Sequence, residues 1–528
     1  MVWRGDYTTE GHGIEEWLFI LLCTILLELN GQEGHMSRER GVILQFFHWY
    51  SPGNGELWKR VASQSEELYA AGFTALWLPP AYKGSGGGGD TGYGVYDLYD
   101  LGEFDQKGSI ATKYGTKKAY LEAVKVSQDH GLHVYADIVL NHRMGADEQE
   151  QVLATPYDRD NRIEAKDSQQ EITAYTRFTF PGRGNRYSSF QWMWHHFDAV
   201  DHAVNHPDDH DTIYVFEGKQ FDDYVSEEFG NYDYLMGCDL DFGAEEVRQE
   251  LSDWGRWYLD TTGVDGFRID AVKHIPSWFF PQWLSDMRAH ANRDLFAVAE
   301  FWDPDPDTLV SYIDQSEGVL SLFDVPLHFK FHRAGIEKRD FPLSDIFTDT
   351  LVERDPQHAV TFVANHDSQA LQALESVIEP WFKPLAYVLI LLRREGYPCV
   401  FIADYEGAHY TDTGSDGNEY TIDMPSFKDL IDTLLEIRHR GLEGTQHDYF
   451  DHPNTIGWTY EGNQSNSQAV AVIMSNGESG SKRMATGRAK HFFVDATRNV
   501  SDRVETDAEG FGVFHCKKES VSVWVAES

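Results

Sequence analysis

The segment HVYADIVLNH (residues 133–142) decides the architecture. Its first eight residues are apolar, branched and aromatic enough for a buried strand, and its end carries Asp137, Asn141 and His142. An amphipathic stretch from Ala119 to His130 precedes it and stops at Gly131, as a helix feeding a strand would. The same alternation extends both ways along the chain. Gly41–Trp49 (GVILQFFHW) and Ala75–Leu78 read as strands, separated by a helical run from Leu57 to Ala71 that ends at Gly72. Downstream, a helix over Ala244–Thr262 leads to strands at Gly266–Ala271, Leu295–Phe301, Leu320–Val325, Ala359–Ala364 and Cys399–Ala403. These are eight strands in βα order, the content of an α/β (β/α)8 barrel of the TIM type.

Two stretches do not follow the alternation. From about Arg143 to Gly243 there is no βα pattern, and Asp, His, Trp and Tyr are abundant, so an inserted domain is expected after strand three. Past about residue 440, short alternating segments such as Ala469–Met474, His491–Val494 and Val521–Val525 predict an all-β C-terminal domain. The expected division is 39–142 and 245–437 for the barrel, 143–244 for the insert and 438–528 for a C-terminal β-sandwich. Residues 1–38 read as an appendage outside the fold. Their apolar run Leu18–Leu27 is short for a bilayer span, is preceded by Glu15 and Glu16, and is followed by no small-residue cleavage site. A cytoplasmic location is therefore expected, with secretion through this segment as the alternative.

Composition narrows the function. With 86 acidic and 44 basic residues the chain carries a formal charge of −42, which repels nucleic acid and anionic lipid. Four scattered cysteines with no CxxC pair exclude a disulfide scaffold and a zinc ribbon. Aromatic residues are 14% of the chain, which suits both a core and the stacking of sugar rings. No feature calls for an oligomer, and a monomer is expected.

Barrel active sites lie at the carboxyl ends of the strands. There the sequence places Asp137, Asn141 and His142 on strand three, Arg268 and Asp270 with Lys273 and His274 on strand four, Glu300 on strand five, and His366 and Asp367 on strand seven. Convergent carboxylates with no phosphate cradle point to glycoside hydrolysis, which needs one carboxylate as nucleophile and one carboxylic acid to protonate the departing oxygen. Arg268 lies two residues before Asp270, on the same strand face, and is expected to keep it ionised. Glu300, crowded by Asp270 and Asp367, is expected to stay protonated.

DIVLNH (137–142), GFRIDAVKH (266–274), AVAEFW around Glu300 and FVANHD (362–367) together resemble the four signature segments of the α-amylase family of glycoside hydrolases. QFFHWY, GYGVYDLYDLGEFDQKG, FPGRG and NYDYLMGCDLDF extend the likeness to the liquefying and cytoplasmic bacterial type. The resemblance implies retaining endo-hydrolysis of α-1,4-glucosidic bonds in starch- or glycogen-type glucans. Asp270 would be the nucleophile, Glu300 the acid/base and Asp367 the third carboxylate. Tyr93, His142, Arg268 and His366 would line the cleavage subsite, with Lys273 and His274 on the leaving-group side. A maltooligosaccharide-forming or transglycosylating enzyme of the same family is the alternative. An inactive glucan-binding relative should have lost one of the three carboxylates, and this chain keeps them all.

The resemblance also implies Ca2+ in the insert, held by Asn141, Asp198, Asp222, Asp233, Asp239, Asp241 and the His274 carbonyl, a set of hard oxygens of the kind calcium takes. Gly243 stands where the liquefying enzymes have a further Asp, so a neighbouring metal cluster is not expected. A further calcium at the C-terminal domain would use His447, Asp448 and Asn476, the last again departing from Asp. The run GSGGGG (84–89) lacks a following Gly-Lys-Ser/Thr and reads as a loop. His202, His206 and His210 share a four-residue spacing, but Pro207 breaks the helix that zinc binding would need.

Overall fold

The computed structural model describes residues 41–462 and 469–527; the appendage expected over 1–38 lies outside them. Eight parallel strands close into a barrel: β1 (Ile43–Gln45), β2 (Ala75–Leu78), β3 (His133–Ile138), β4 (Gly266–Ile269), β5 (Phe296–Ala299), β6 (Ser321–Phe323), β7 (Ala359–Phe362) and β8 (Tyr397–Phe401). Each pairs with its sequence neighbour, and β1 pairs with β8 to complete the ring. The β8 strand ends at Phe401 rather than Ala403, because the chain turns there into the short helix Ile402–Glu406.

Local chemistry sets these boundaries. The helix Leu57–Ala71 ends at Gly72, whose φ of 115° is left-handed and lets its N–H reach back to the Leu68 and Tyr69 carbonyls. The helix Lys117–Asp129 begins where the Thr116 side chain accepts the Ala119 N–H. On the following helix Glu245–Thr262, Trp254 is fully buried against the barrel and its indole N–H donates to the Leu98 carbonyl at 3.0 Å. Burial of such side chains, at about 25 cal/mol per Å² of apolar surface, stabilises the helix layer on the sheet.

Between β3 and β4 the chain forms an antiparallel sheet in the order His142–Arg143, Cys238–Leu240, Phe197–Val200, Thr212–Phe216, Glu148–Asp158, Gln170–Arg177. Its first strand continues directly from the end of β3, so the insert is built on the rim where the barrel strands end. A hairpin, Ala408–Thr413 with Glu419–Met424, follows β8 and was not expected. Its Tyr410 ring stacks on Tyr50 at 4.0 Å. The C-terminal region is all-β: a six-stranded sheet from Gln446 to Ala526 faces the pair Gly480–Ala485 and Phe511–Cys516. Ala471, Ile473, Met484, Phe514 and Trp524 fill the space between them.

One close approach fixes β4 between its neighbours. A Cβ on Gly266 would lie 2.2 Å from the Phe296 carbonyl oxygen and 3.0 Å from the Tyr135 ring. Gly266→Ala must push β4 off β5, and we expect a loss of about 1–3 kcal/mol, as for other overpacked core sites. Differential scanning calorimetry should show a lowered transition; an unchanged midpoint would mean that β4 is free to shift.

Candidate active site

The sequence places Arg268 and Asp270 on one face of β4, and the structure puts that face at the centre of the barrel mouth. Arg268 is fully buried. Its Nη1 donates to Asp137 Oδ1 at 2.9 Å and Asp270 Oδ1 at 2.6 Å, and its Nη2 donates to Glu300 Oε2 at 2.6 Å. One guanidinium therefore gathers carboxylates from β3, β4 and β5. Asp137 also accepts the Tyr93 hydroxyl at 2.7 Å and the Trp77 indole N–H at 3.0 Å. This saturates it, leaving Asp270 and Glu300 as the carboxyls that face the cleft.

Register explains the convergence. Arg268 pairs with Asp137 across β3 and with Val298 across β5, so the ends of the three strands are level. The Asp270 N–H donates to the Ile138 carbonyl, and the Glu300 N–H donates to the Ile269 carbonyl, each at 2.9 Å. Immediately after Asp270 the backbone turns sharply. Ala271 is left-handed at φ 53°, a conformation that costs a non-glycine residue on the order of 1 kcal/mol. The turn carries Lys273 and His274 out toward the insert.

Asp367 follows β7, with its carboxylate 3.3 Å from His366 Nε2. The Gln45 amide lies 3.0 Å from His366 Nδ1. With the amide donating there, the ring proton sits on Nε2 and points at Asp367. Tyr93 stacks on His366 at 5.1 Å, and Trp49 stacks on Tyr93 at 5.9 Å. His142 Nε2 lies 2.9 Å from the Tyr93 carbonyl. Lys273 Nζ pairs with Glu228 at 2.8 Å and reaches the Trp302 carbonyl at 3.3 Å. His274 Nδ1 lies 2.6 Å from the Tyr232 carbonyl. Trp49, Trp77, Gln45, Glu228 and Tyr232 were not anticipated. The first three sit on the ends of β1 and β2, where the same strand-end reading would have found them.

Electrostatics departs from the expected asymmetry in one respect. Burial pushes the carboxyls of Asp270, Glu300 and Asp367 all above the ordinary range. Arg268 opposes this for all three, so it does not favour Asp270 alone. The two differ in which neighbouring charge adds to burial: Asp137 raises Asp270, and Asp270 raises Glu300. Burial also drives His142 down to about 4 and His366 well below its usual value, so both rings are neutral near pH 7.

The residues expected to hold calcium come together at the junction of barrel and insert. Asp239 pairs with His142 across the antiparallel register, and the Leu240 N–H donates to the Asn141 carbonyl at 3.0 Å. Carboxylate oxygens of Asp198, Asp222 and Asp233 lie within 4.8 Å of one another. Asn141 Oδ1, Asp198 Oδ2 and Asp239 Oδ2 are buried and accept no hydrogen bond among the described residues. Orphaned hard oxygens of this kind fit a calcium ion. The Tyr232 contact ties His274 to the loop that bears Asp233. Asp241 stands differently: one of its oxygens is held by the Lys219 ammonium and the other accepts the Ala244 N–H at 3.0 Å.

The set expected for a further calcium is not assembled. Asp448 is gripped by Arg393 at 2.9 and 3.0 Å, and His447 pairs with Glu461 at 2.9 Å. The Asn476 amide donates to the Lys338 and Phe341 carbonyls, each at 2.8 Å. An amide can donate where a carboxylate could not, so the Asp-to-Asn departure replaces a metal contact with hydrogen bonds. A cluster missed in the sequence, His195, His196 and Glu246, lies at the insert, where the His195 carbonyl accepts from Lys219. There the Met193 N–H donates to His196 Nδ1 at 2.9 Å, which leaves the ring proton on Nε2 facing Glu246.

Comparison with known proteins agrees with this geometry. The profile of the α-amylase catalytic domain matches residues 52–426. The chain belongs to the α-amylase family. It is an enzyme of that family, a hydrolase of α-1,4-glucans. It is 47% identical to an α-amylase of Geobacillus stearothermophilus over 96% of this chain and 92% of that one. It is likewise 47% identical to the cytoplasmic α-amylase of Escherichia coli K12, over 92% of this chain and 98% of that one. A crystal structure of an α-amylase from Geobacillus thermoleovorans, complexed with acarbose, shares the fold with a TM-score of 0.62 at 17% identity, covering 93% of this chain and 99% of that one.

Removing the guanidinium should raise the carboxyl pKa values further, because the opposing positive charge is lost. In Arg268→Gln the acid limb of the kcat/KM profile, set by ionisation of Asp270, should move to higher pH, with activity at neutrality down by about 10²-fold or more. An unmoved acid limb in a folded variant would show that Arg268 does not set the charge state.

Proposed function

We propose that the chain hydrolyses internal α-1,4 bonds of starch- or glycogen-type glucans with retention, through a covalent glycosyl-aspartate at Asp270. The observation that carries this reading is the single buried guanidinium joining Asp270 and Glu300 at the barrel mouth. Both carboxyls lie on one guanidinium at the same cleft, an arrangement that supports a nucleophile and acid pair acting on one glycosidic bond.

In the first step the Asp270 carboxylate attacks the anomeric carbon while Glu300 gives its proton to the glycosidic oxygen. The C–O bond to the leaving chain breaks as the ester to Asp270 forms. In the second step a water enters where the leaving chain was, and the Glu300 carboxylate takes one of its protons. The oxygen attacks the anomeric carbon from the opposite side, and the ester breaks to regenerate Asp270. Asp367, with the neutral His366 donating toward it, faces the same sugar and accepts its hydroxyls. Tyr93 supplies a ring face, His142 lies behind it, and Lys273 and His274 contact the glucose on the departing side. Calcium bound by Asn141, Asp198, Asp222, Asp233 and Asp239 would supply charge neutralisation that pins the insert to the barrel. The likeness to a cytoplasmic relative supports cytoplasmic action on stored or imported glucan. Among the described residues, no helix is long and apolar enough to cross a membrane. A monomer suffices for the chemistry, since every residue in the mechanism comes from one chain.

Glu300→Gln should lower kcat on soluble starch by about 10²–10⁴-fold, the usual contribution of a positioned acid. Wild type should yield mixed maltooligosaccharides early in a time course, with the α-anomer first in the NMR spectrum. A β-anomer would exclude the covalent intermediate, and glucose or a single oligosaccharide as the only early product would exclude endo action. Chelation of calcium should lower the thermal transition. An ion held at a thousand times its Kd contributes about 4 kcal/mol, and an unchanged Tm after EDTA dialysis would count against the metal assignment.

A further inference from the structure

Next to Lys273 lies a cleft that the two catalytic steps do not occupy. Its volume is about 540 Å³, within the range of clefts that hold small ligands. One wall is the insert loop from Tyr224 to Glu228, and the other is the chain after Glu300 with the helix Pro306–Gln315. Phe301 and Tyr312 meet at its floor with ring centroids 5.0 Å apart, and the Tyr312 hydroxyl donates to the Val272 carbonyl at 3.2 Å. The floor is thereby tied to the turn that follows Asp270. Two contacts of Lys273 join the walls: its Nζ donates to Glu228 at 2.8 Å and to the Trp302 carbonyl at 3.3 Å. The Ser226 N–H donates to the Lys273 carbonyl at 2.9 Å. The cleft is therefore continuous with the leaving-group side of the site. Tyr224 is the unusual residue in it. Its ring is 68% exposed, and its backbone is left-handed at φ 67°, unfavourable for any residue but glycine. The Ser277 N–H holds it there, donating to the Tyr224 carbonyl at 3.1 Å.

We propose that this cleft carries the leaving segment of the glucan, with the Tyr224 ring as platform for a glucose beyond the one held by Lys273 and His274, so that the enzyme favours long chains and releases long leaving fragments. This rests on the hydrolytic reading of the site and adds to it the chain length of the substrate. The chemistry of the walls selects the occupant. Glu227, Glu228, Asp303 and Asp307 make the cleft negative, which repels phosphate, sulfate and carboxylate ligands. Carboxylates accept hydroxyl protons, so a neutral polyol is suited to the same walls. A glucose unit offers hydroxyls around its edge and apolar C–H faces, and such a face settles on an aromatic ring that is left open to water. At the entrance, the Lys273 ammonium has three donors, of which Glu228 and the Trp302 carbonyl take two among the described residues. The third is placed for a sugar hydroxyl. Asp305 is already spent at the helix start, accepting the Asp307 N–H at 3.2 Å and the Thr308 hydroxyl at 2.8 Å.

The test uses the full chain and maltoheptaose labelled at its reducing end, with products resolved by mass spectrometry. Each labelled fragment is a leaving chain, so its length reports how far the glucan reached along the cleft. Wild type should favour the longer labelled fragments. Tyr224→Ala should shift them to shorter ones and lower kcat/KM for maltoheptaose, relative to that for maltotetraose, by about 3–10-fold, the scale of one lost ring contact. Tyr224→Trp, which keeps a ring, should restore both. Ser311→Trp, placed on the opposite wall to fill the cleft, should give the same shift as Tyr224→Ala and carries the test if that variant does not fold. Fragment lengths unchanged in both Tyr224→Ala and Ser311→Trp overturn the proposal. So does an equal fall in kcat/KM for the long and short substrates, which would mark Tyr224 as a structural residue only. Wild type that cleaves no internal bond of maltoheptaose overturns the hydrolytic reading and this inference with it, whereas internal cleavage indifferent to Tyr224 and Ser311 removes the cleft alone.

Discussion

A buried arginine that must satisfy three carboxylates is the constraint on which the rest of the barrel mouth depends. Arg268 is shut away from water, so its charge is tolerable only if Asp137, Asp270 and Glu300 are all in place, and each of them is tolerable only if Arg268 is. The three acids come from three adjacent strands. Their distances therefore hold only when β3, β4 and β5 are in register and the ring is closed. Gly266 lets β4 lie close enough to β5 for this, and Trp77 and Tyr93 neutralise the demands of Asp137 so that it does not compete for the sugar. Ring closure and the charge arrangement of the site are thus one condition.

The insert meets the same problem with a different device. Its strands pair so that Asp239 lies opposite His142, next to Asn141, and loop residues Asp222 and Asp233 come close to Asp198. Here the buried Arg162 lends positive charge to Asp233 and Asp239 but donates to the Asn231 and Tyr234 carbonyls. Asn141, Asp198 and Asp239 each keep an unpartnered buried oxygen, and the Lys219 ammonium pairs with Asp241. A barrel strand end can carry a fixed organic cation because its neighbours are rigid. A junction between two sheets is better served by an ion that can take six to eight oxygens from several segments, since the ion itself then holds the segments together.

How far this was legible in the sequence depended on the range of the interaction. The helix Leu57–Ala71 and strand Ala75–Leu78 were read with their observed limits because Gly72 and Pro79 punctuate them locally. The eight strands could be counted because parallel strands buried on both faces are short apolar runs. The insert could not be resolved into strands: Glu148–Asp158 and Gln170–Arg177 are exposed along much of their length and carry polar residues on both faces, so their pairing is a long-range choice. Strand-end logic located Asp270, Glu300 and Asp367 with no knowledge of distances. It did not locate Gln45 behind His366, a partner 321 residues away, or Trp49 against Tyr93. Asn476 shows the converse. A one-atom departure from a carboxylate was visible in the sequence, but its consequence, an amide donating to two backbone carbonyls, needed the surrounding fold.

The charge state of the site follows from geometry that no count of acids supplies. The sequence carries a charge of −42, and most of that charge does nothing specific. What distinguishes Asp270 and Glu300 is that they share a buried guanidinium. Burial raises both, so a second negative charge there is costly, and the proton is kept by the pair rather than lost to solvent. Arg268 alone would treat the two alike, since it lies 2.6 Å from each. The asymmetry that chemistry needs arises because the Asp270 charge raises Glu300, and a sugar bound across them would deepen it by excluding the remaining water and placing its glycosidic oxygen beside the carboxyl that holds the proton.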